Sequence, residues 1–209
     1  MSGLMSVTGH PDGPPTRAGA AVVDMAAGLF AALAVMTALL ERERSGRGQW
    51  LAAAPRVLAA SEFAADLCRA HPQRLIELLD SGRLETAQDP SAIAATVRSG
   101  LSELADETAL REALRQLRQR EMLRIAWRDL AGWADLDETL TALSALADAC
   151  IDGALAWLHQ WQVAQLGQPR DAQGQPVELV VLGMGKLGGH ELNFSSDIDL
   201  MFAFEYAGT

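Results

Sequence analysis

A helical periodicity runs through the middle of the chain, from Trp50 to Gly167, where apolar residues recur at three- and four-residue spacing. Three stretches carry it: Ile93, Val97, Leu101 and Leu104; Leu110, Leu114 and Leu117; and Leu140, Leu143, Ala147, Ile151, Ala154 and Leu158. Breaks are predicted at Pro55, His71-Pro72, Ser81-Gly82 and Asp89-Pro90. The pattern predicts a bundle of about five or six helices over residues 50–167, joined by short loops.

The pattern changes after Gly167. A polar turn, residues 168–177, leads into two short apolar runs, Leu179–Leu182 and Ile198–Phe204, which are predicted strands. A turn dense in glycine, Gly183–Gly189, separates the runs. Residues 168–209 are therefore predicted to form a separate region with two strands that follows the helical bundle.

The second run carries a pair of carboxylates, Asp197 and Asp199, at its front edge. On an extended strand, side chains at i and i+2 share a face, and two carboxylates suit Mg²⁺ with substrate phosphates. In the glycine turn, Gly185 allows backbone N–H groups to approach phosphate, while Lys186 offers a positive charge and Ser196 a hydrogen bond. The combination predicts metal-dependent phosphoryl or nucleotidyl transfer.

The same residues also allow an alternative interpretation, a dinucleotide-binding site. Residues 183–188 form a G-x-G-x-x-G pattern after a strand, with Glu205 near the position of a ribose-binding acid, as in dinucleotide-binding folds. Residues 189–196 are short, polar and poor in helix formers, and a strand buried on both faces would leave the two aspartates uncompensated. These features favour the metal site over the dinucleotide site.

The segment GMGKLGGHELNFSSDIDL, residues 183–200, resembles the nucleotidyltransferase core of the bifunctional glutamine synthetase adenylyltransferase/adenylyl-removing enzymes. Their superfamily, the polymerase-β-like nucleotidyltransferases, carries a Gly-Gly or Gly-Ser turn before an Asp-x-Asp strand, and Gly185-Lys186 takes the turn position here. Residues 193–197 are similar to the N-terminal, adenylyl-removing copy of that core. The resemblance implies a mainly helical bundle followed by the start of a polymerase-β-like α+β core.

The resemblance also implies a reaction. Phosphate would attack the AMP phosphorus on an adenylylated tyrosine of glutamine synthetase and release ADP, with Asp197 and Asp199 holding Mg²⁺. Glutamine synthetase, a PII regulatory protein, nucleotide and phosphate are the implied partners in the cytoplasm. A third carboxylate on a later strand is also implied, so the chain to Thr209 is expected to be truncated and inactive alone. A non-catalytic helical module that binds one of these proteins is the alternative.

Residues 1–49 resemble a different family, the family III CoA-transferases. Asp24 matches the aspartate that forms an acyl anhydride in those enzymes, but the rest of that fold has no counterpart in the sequence. The two resemblances meet near Gln49-Trp50, which leaves either a misassembled reading frame or a true fusion. The predicted division of the chain is thus 1–49, 50–167 and 168–209.

Composition and charge indicate which classes of partner are not expected. The formal charge of −10 argues against a nucleic-acid surface. The apolar run Met25–Leu40 is shorter than a membrane span, so no membrane contact is expected. Cys68 and Cys150 match no metal spacing and are predicted to be isolated buried thiols. An arginine-rich stretch is predicted to be a solvated helix face paired with Glu112, Glu121 and Asp129, with contact to the core or to glutamine synthetase as the alternative. Its members are Arg115, Arg118, Arg120, Arg124 and Arg128.

Overall fold

The computed structural model describes residues 53–204, and these are mainly helical. Its contacts divide the chain into Met1–Pro55 and Arg56–Thr209, and the second unit contains nearly all the described residues. The helices before the sheet are α1 Ala54–Ala60, α2 Glu62–Ala70, α3 Pro72–Asp80, α4 Pro90–Gly100, α5 Glu107–Ala131 and α6 Leu136–Leu166. The prediction of a mainly helical chain over this range is confirmed.

Four of these helices begin at a capping side chain. Ser61, Asp89, Asp106 and Asp135 each accept the backbone N–H of the residue three positions later, at 2.8 to 3.1 Å. The longest pair of helices, α5 and α6, is separated at Gly132, whose φ of 76° lies in the left-handed region that glycine adopts readily. Local capping chemistry therefore sets these boundaries.

Helix boundaries fall at the predicted breaks. Helices end or begin at His71, after Asp80 and before Pro90, and α1 begins at Ala54, directly before Pro55. Pro55 lies in the first turn of α1, where its missing N–H has no helical partner to lose. A further break, which was not predicted, falls at Ser61.

The core lies where α4 and α5 pack against α6. Its buried side chains come from the predicted apolar stripes, with Ile93 and Val97 on α4 and Leu143 on α6 each at most 3% exposed. By length and composition α6 resembles a membrane span, although this is weak evidence, since the core helix of a helical bundle meets the same criterion. The face that α6 buries against its neighbours is consistent with such a core helix.

Two short strands follow the bundle, β1 Val180–Gly183 and β2 Leu200–Ala203. They pair antiparallel, with Val180 opposite Ala203 and Gly183 opposite Leu200. A four-residue helix, α7 Gly185–Gly188, lies between them in the chain. Val180, Leu182 and Met201 are about half exposed, at 45 to 50%. A two-stranded sheet of this kind is marginal by itself.

The arginine-rich stretch of α5 is a solvated face only in part, because Arg115 and Arg118 are exposed but the C-terminal part is buried, which corrects the sequence prediction. Glu121, Arg124 and Arg128 are at most 5% exposed. Arg83, in the turn after α3, donates two hydrogen bonds to Glu121 at 2.7 and 3.0 Å, and Arg124 donates a third at 2.9 Å. The turn after α3 packs over this part of α5, and its Leu84 is only 1% exposed. The spacing of residues along α5 could not predict that a distant turn packs there.

Arg128 belongs to a second buried ion pair. Its guanidinium donates to Glu138 of α6 at 2.7 Å and to the backbone oxygen of Leu84 at 2.6 Å. The pairing of Arg115 with Glu112 is exposed, as predicted, but Arg128 pairs with Glu138 rather than with Asp129. The buried arginines thus tie α5 to α6 and to the turn after α3.

The two cysteines are free and half-buried. Burial raises the pKa of the Cys150 thiol to about 11, so this thiol is protonated at neutral pH. The cysteines are free, as expected for isolated thiols, but they are half-buried rather than buried as predicted.

Candidate functional site

The glycine turn folds tightly against the end of β1. Gly185 has a φ of 57°, in the left-handed region, and a side chain there would meet open space. At Gly188 the constraint is different, because a Cβ would lie 2.5 Å from the backbone oxygen of Gly183. The turn therefore needs glycine at residue 188 for close approach of two backbone segments.

Gly188→Ala is expected to lower the free energy of unfolding by about 1–3 kcal/mol, because the new Cβ would collide with a backbone atom that has little freedom to move. Gly189→Ala is the matched control, since a Cβ there would make only an ordinary contact of 3.6 Å and its φ is −88°. Urea unfolding of both variants measures the difference. Equal stability of the two variants would contradict the close approach.

The loop after the glycine turn is anchored on the bundle. Leu187 and Leu192 are 3% and 6% exposed and belong to the same apolar core as the buried face of α6. The backbone N–H of Leu192 donates to Ser144 Oγ on α6 at 3.3 Å. One turn further along α6, Asp148 Oδ2 lies 3.9 Å from His190 Nδ1. The helical bundle thus fixes the position of the loop.

Partial burial raises the pKa of the Asp148 carboxyl above its ordinary value, and the nearby His190 opposes this shift. His190 itself has a φ of 55°, an uncommon conformation for a residue with a side chain. Its backbone N–H donates to the oxygen of Leu187 at 3.0 Å, and the N–H of Glu191 donates to the oxygen of Lys186 at 2.8 Å. The turn is therefore closed by its own backbone as well as by α6.

A second small network precedes the aspartates. Asn193 Oδ1 accepts the hydroxyl of Ser196 at 2.7 Å, and the backbone N–H of Asn193 donates back to Ser196 Oγ at 3.1 Å. The N–H of Ser195 also donates to Asn193 Oδ1, at 3.2 Å. The Ser196 hydroxyl proton is therefore held by Asn193, and Ser196 orders the segment that leads to Asp197.

Asp197 and Asp199 lie in the segment just before β2 rather than on it, since β2 begins at Leu200. The prediction of a carboxylate pair on a strand face is wrong by this margin, because the ladder of paired strand residues ends at Gly183 and Leu200. The backbone N–H of Met184 nevertheless donates to the oxygen of Asp199 at 2.9 Å, which continues the register by one hydrogen bond. This bond holds the backbone of Asp199, the residue directly before β2, beside the start of the glycine turn.

The donor set suits a hard cation. Both carboxylates are exposed and so accessible to an ion and a phosphate, and Lys186 in the turn is exposed as well. Within residues 53–204 no group of three or more His, Cys, Asp or Glu side chains is arranged to hold a metal. Two carboxylates with substrate phosphates is a normal arrangement for Mg²⁺, so the residues present fit this ion.

The dinucleotide-binding alternative disagrees with the geometry. That fold requires parallel strands joined by a full crossover helix, whereas β1 and β2 pair antiparallel and α7 has four residues. The other predicted site residue, Asp24, and the whole segment 1–49 lie outside the described residues. The boundaries at residues 49 and 167 stay predictions.

Sequence reasoning missed the two α6 residues that anchor the loop. Ser144 is 1% exposed, and Asp148 lies four residues later on the same helix. The available signal was a serine beside the apolar stripe of Leu143 and Ala147 on a helix predicted to be buried. Such a residue needs a hydrogen-bond partner, but sequence alone does not say that the partner is Leu192, 48 residues away.

Comparison with known proteins gives one family. A family model described as glutamate-ammonia ligase adenylyltransferase matches residues 51–209. The curated relatives are bifunctional glutamine synthetase adenylyltransferase/adenylyl-removing enzymes. The one from Thioalkalivibrio sulfidiphilus is 53% identical over 76% of this chain, and those from Nitrosococcus oceani and Pseudomonas aeruginosa are 51% and 48% identical over 73%.

In each of these three relatives the match spans 16% of the relative's own length. Membership of the family therefore does not by itself assign the activity of the full-length relatives to this chain. The matched residues include the glycine turn, both aspartates and the helices that anchor them. Because the family model matches more than half of the chain, the chain belongs to the glutamate-ammonia ligase adenylyltransferase family.

Proposed function

We propose that this chain forms part of a catalytic centre that removes AMP from adenylylated glutamine synthetase. The observation that carries the proposal is the hydrogen bond between Met184 N–H and the oxygen of Asp199, which joins the glycine turn to the aspartate segment. A phosphate-binding turn and two carboxylates at one place are what transfer of a phosphoryl or nucleotidyl group requires. The names of the relatives supply the substrate, glutamine synthetase.

The proposed reaction moves the AMP group from the tyrosine oxygen of glutamine synthetase to inorganic phosphate. The bond between the tyrosine oxygen and the AMP phosphorus breaks, a new bond to a phosphate oxygen forms, and ADP leaves. Mg²⁺, when bound by Asp197 and Asp199, would neutralise charge on the transferring group. Tyrosinate has an ordinary pKa near 10, so it is an acceptable leaving group without a strong general acid.

The other residues of the turn hold and orient the phosphates. The first N–H groups of a helix have no intrahelical acceptor, so those of Gly185 and Lys186, at the start of α7, are available to phosphate oxygens. The Lys186 ammonium adds a positive charge beside them. Ser196 keeps the aspartate segment in place through Asn193, and Leu192 and Ser144 fix the loop on α6. In this proposal the helical bundle supplies rigidity and the turn supplies chemistry.

Three further proposals come from the family resemblance: a polymerase-β-like core around residues 168–209, regulation by a PII protein, and a cytoplasmic location. The core is supported by the antiparallel pair β1–β2 with the glycine turn and aspartate segment at one end.

A chimaeric enzyme tests the function. Residues 51–209 replace the matching segment of the Thioalkalivibrio sulfidiphilus relative, which is 53% identical over 159 residues. We expect the chimaera to form ADP from adenylylated glutamine synthetase, phosphate and Mg²⁺. The unaltered relative is the positive control. A folded chimaera that binds glutamine synthetase but forms no ADP would refute the proposal.

A further inference from the structure

A groove of about 650 Å³ lies between α3, α4 and α5, on the helical bundle rather than at the glycine turn. Two arginines line it, Arg74 from α3 and Arg120 from α5. Between them α4 contributes the hydroxyl-bearing Ser99, and Glu77 is the acidic side chain among the lining residues. The groove is therefore a polar site with two cations in a chain whose formal charge is −10.

Arg120 has an unmet hydrogen-bonding need. Its Nε is buried and has no hydrogen-bond partner among residues 53–204. The nearest acidic atom, Glu121 Oε1, is 3.7 Å away and already accepts a hydrogen bond from Arg83 at 2.7 Å. The side chain of Arg120 as a whole is 37% exposed, and the residue lines the groove. A buried guanidinium N–H without an acceptor is costly, and a negative charge held beside Arg120 would offset part of that cost.

The charges behind the groove favour an anion too. Three guanidinium groups, those of Arg83, Arg120 and Arg124, lie within ion-pairing distance of the single carboxylate of Glu121. Arg124 Nη2 is also buried without a partner in the described part of the chain. Positive charge thus exceeds negative charge on the α5 side of the groove, and this excess is only weakly screened because the cluster is buried.

We propose that this groove binds the phosphate group of a small phosphorylated molecule between Arg74 and Arg120. Guanidinium groups present paired N–H donors that match phosphate oxygens, and Ser99 adds a neutral donor. The apolar part of the lining, Ala95, Ala113 and Leu117, provides a surface on which the remainder of such a molecule packs. The site is distinct from the glycine turn and does not depend on the function proposed above.

Binding to the 209-residue chain tests the proposal, with EDTA present to suppress metal-dependent binding at Asp197 and Asp199. Inorganic phosphate and AMP are the probes, titrated at constant ionic strength and followed by amide chemical shifts of Thr96, Ser99 and Gln116. We expect saturable binding, weakened about tenfold or more by Arg120→Gln and by Arg74→Gln. Tighter binding of AMP than of phosphate would identify a phosphorylated metabolite as the ligand, and equal binding would identify free phosphate.

Arg118→Gln is the matched control, because it removes the same charge from an exposed position on the same helix. It should bind like the unaltered chain. Absence of saturation at these amides, or equal weakening by Arg118→Gln, would overturn the proposal. Circular dichroism verifies folding of every variant, and Ser99→Ala provides a lining variant that leaves the arginines intact.

Discussion

Replacing Glu121 with alanine is expected to destabilise the chain by about 3–5 kcal/mol, because it leaves buried guanidinium groups without their carboxylate. Glu121 is 0% exposed and accepts hydrogen bonds from Arg83 and Arg124. Arg124 is 1% exposed, and its ion pair within residues 53–204 is with Glu121. Urea unfolding monitored by circular dichroism measures the loss.

The control for this variant is Glu112→Ala on the same helix. Glu112 is exposed and pairs with the exposed Arg115, so its loss should cost less than about 1 kcal/mol. Similar decreases in the free energy of unfolding in the two variants would show that the buried cluster contributes no more stability than an exposed ion pair. The same reasoning explains why charge reversal of Arg124 is expected to unfold the bundle, which makes that variant unsuitable for testing contact with a partner.

The cluster also predicts a pH dependence. Burial alone would raise the pKa of the Glu121 carboxyl, but Arg83 and Arg124 outweigh it and hold this pKa below its ordinary value of 4.5. A lowered pKa in the folded state contributes stability above pH 4.5, and this contribution is lost as the pH falls through the folded-state value. Glu121→Ala should therefore show a flatter decline in stability below pH 4.5 than the unaltered chain.

Asp197→Asn or Asp199→Asn in the chimaeric enzyme is expected to lower the rate of ADP formation on the order of a thousandfold. Loss of metal-assisted charge stabilisation removes several kcal/mol from the transition state, and about 4 kcal/mol corresponds to that factor. Both side chains are exposed, so the free energy of unfolding should change by no more than about 0.5 kcal/mol. Steady-state ADP formation and urea unfolding measure the two quantities.

Glu191→Gln is the matched control, because it removes one negative charge from an exposed residue of the same loop. It should retain the rate of the unaltered chimaera. Full activity in either aspartate variant would remove that residue from the metal site. An equal loss in Glu191→Gln would indicate a general effect of charge on the loop rather than metal binding.

The helical part of the fold was predictable because its signals are local. Asp89-Pro90 combines a capping side chain with a proline at the first turn, and the buried Ile93 and Val97 recur at helical spacing. Ser61 shows the limit of such signals, because the break there was not predicted although the serine side chain caps α2.

The sequence supplied the residues of the candidate site as a prediction, but it gave no sign of the contacts that support them. Glycine spacing and the two aspartates indicated phosphate and metal chemistry, and the hydrogen bond from Met184 to Asp199 brings the two segments together. The anchor of the loop, Ser144, lies on a helix far upstream in the chain. Contacts of this kind depend on tertiary packing, which the spacing of residues in one sequence does not predict.

The burial of Arg124 is a second case in which tertiary packing decides the outcome, because a charged residue expected to be solvated is buried. Charged residues at helical spacing normally indicate a solvated face, and the sequence offered no reason to treat Arg124 differently from Arg115. The difference arises because the turn after α3 covers one part of α5, with Arg83 placed to neutralise Glu121. A cover supplied by a distant turn changes which charges are buried.

The origin of the new phosphate in ADP is the most direct test of the proposed function. The chimaeric enzyme is incubated with adenylylated glutamine synthetase, Mg²⁺ and ³²P-labelled inorganic phosphate, and the nucleotide products are separated. Phosphate attack on the adenylyl-tyrosine predicts label in the β-phosphate of ADP, with loss of label in Asp197→Asn and Asp199→Asn. Release of unlabelled AMP, or labelled ADP that persists in both variants, would contradict it.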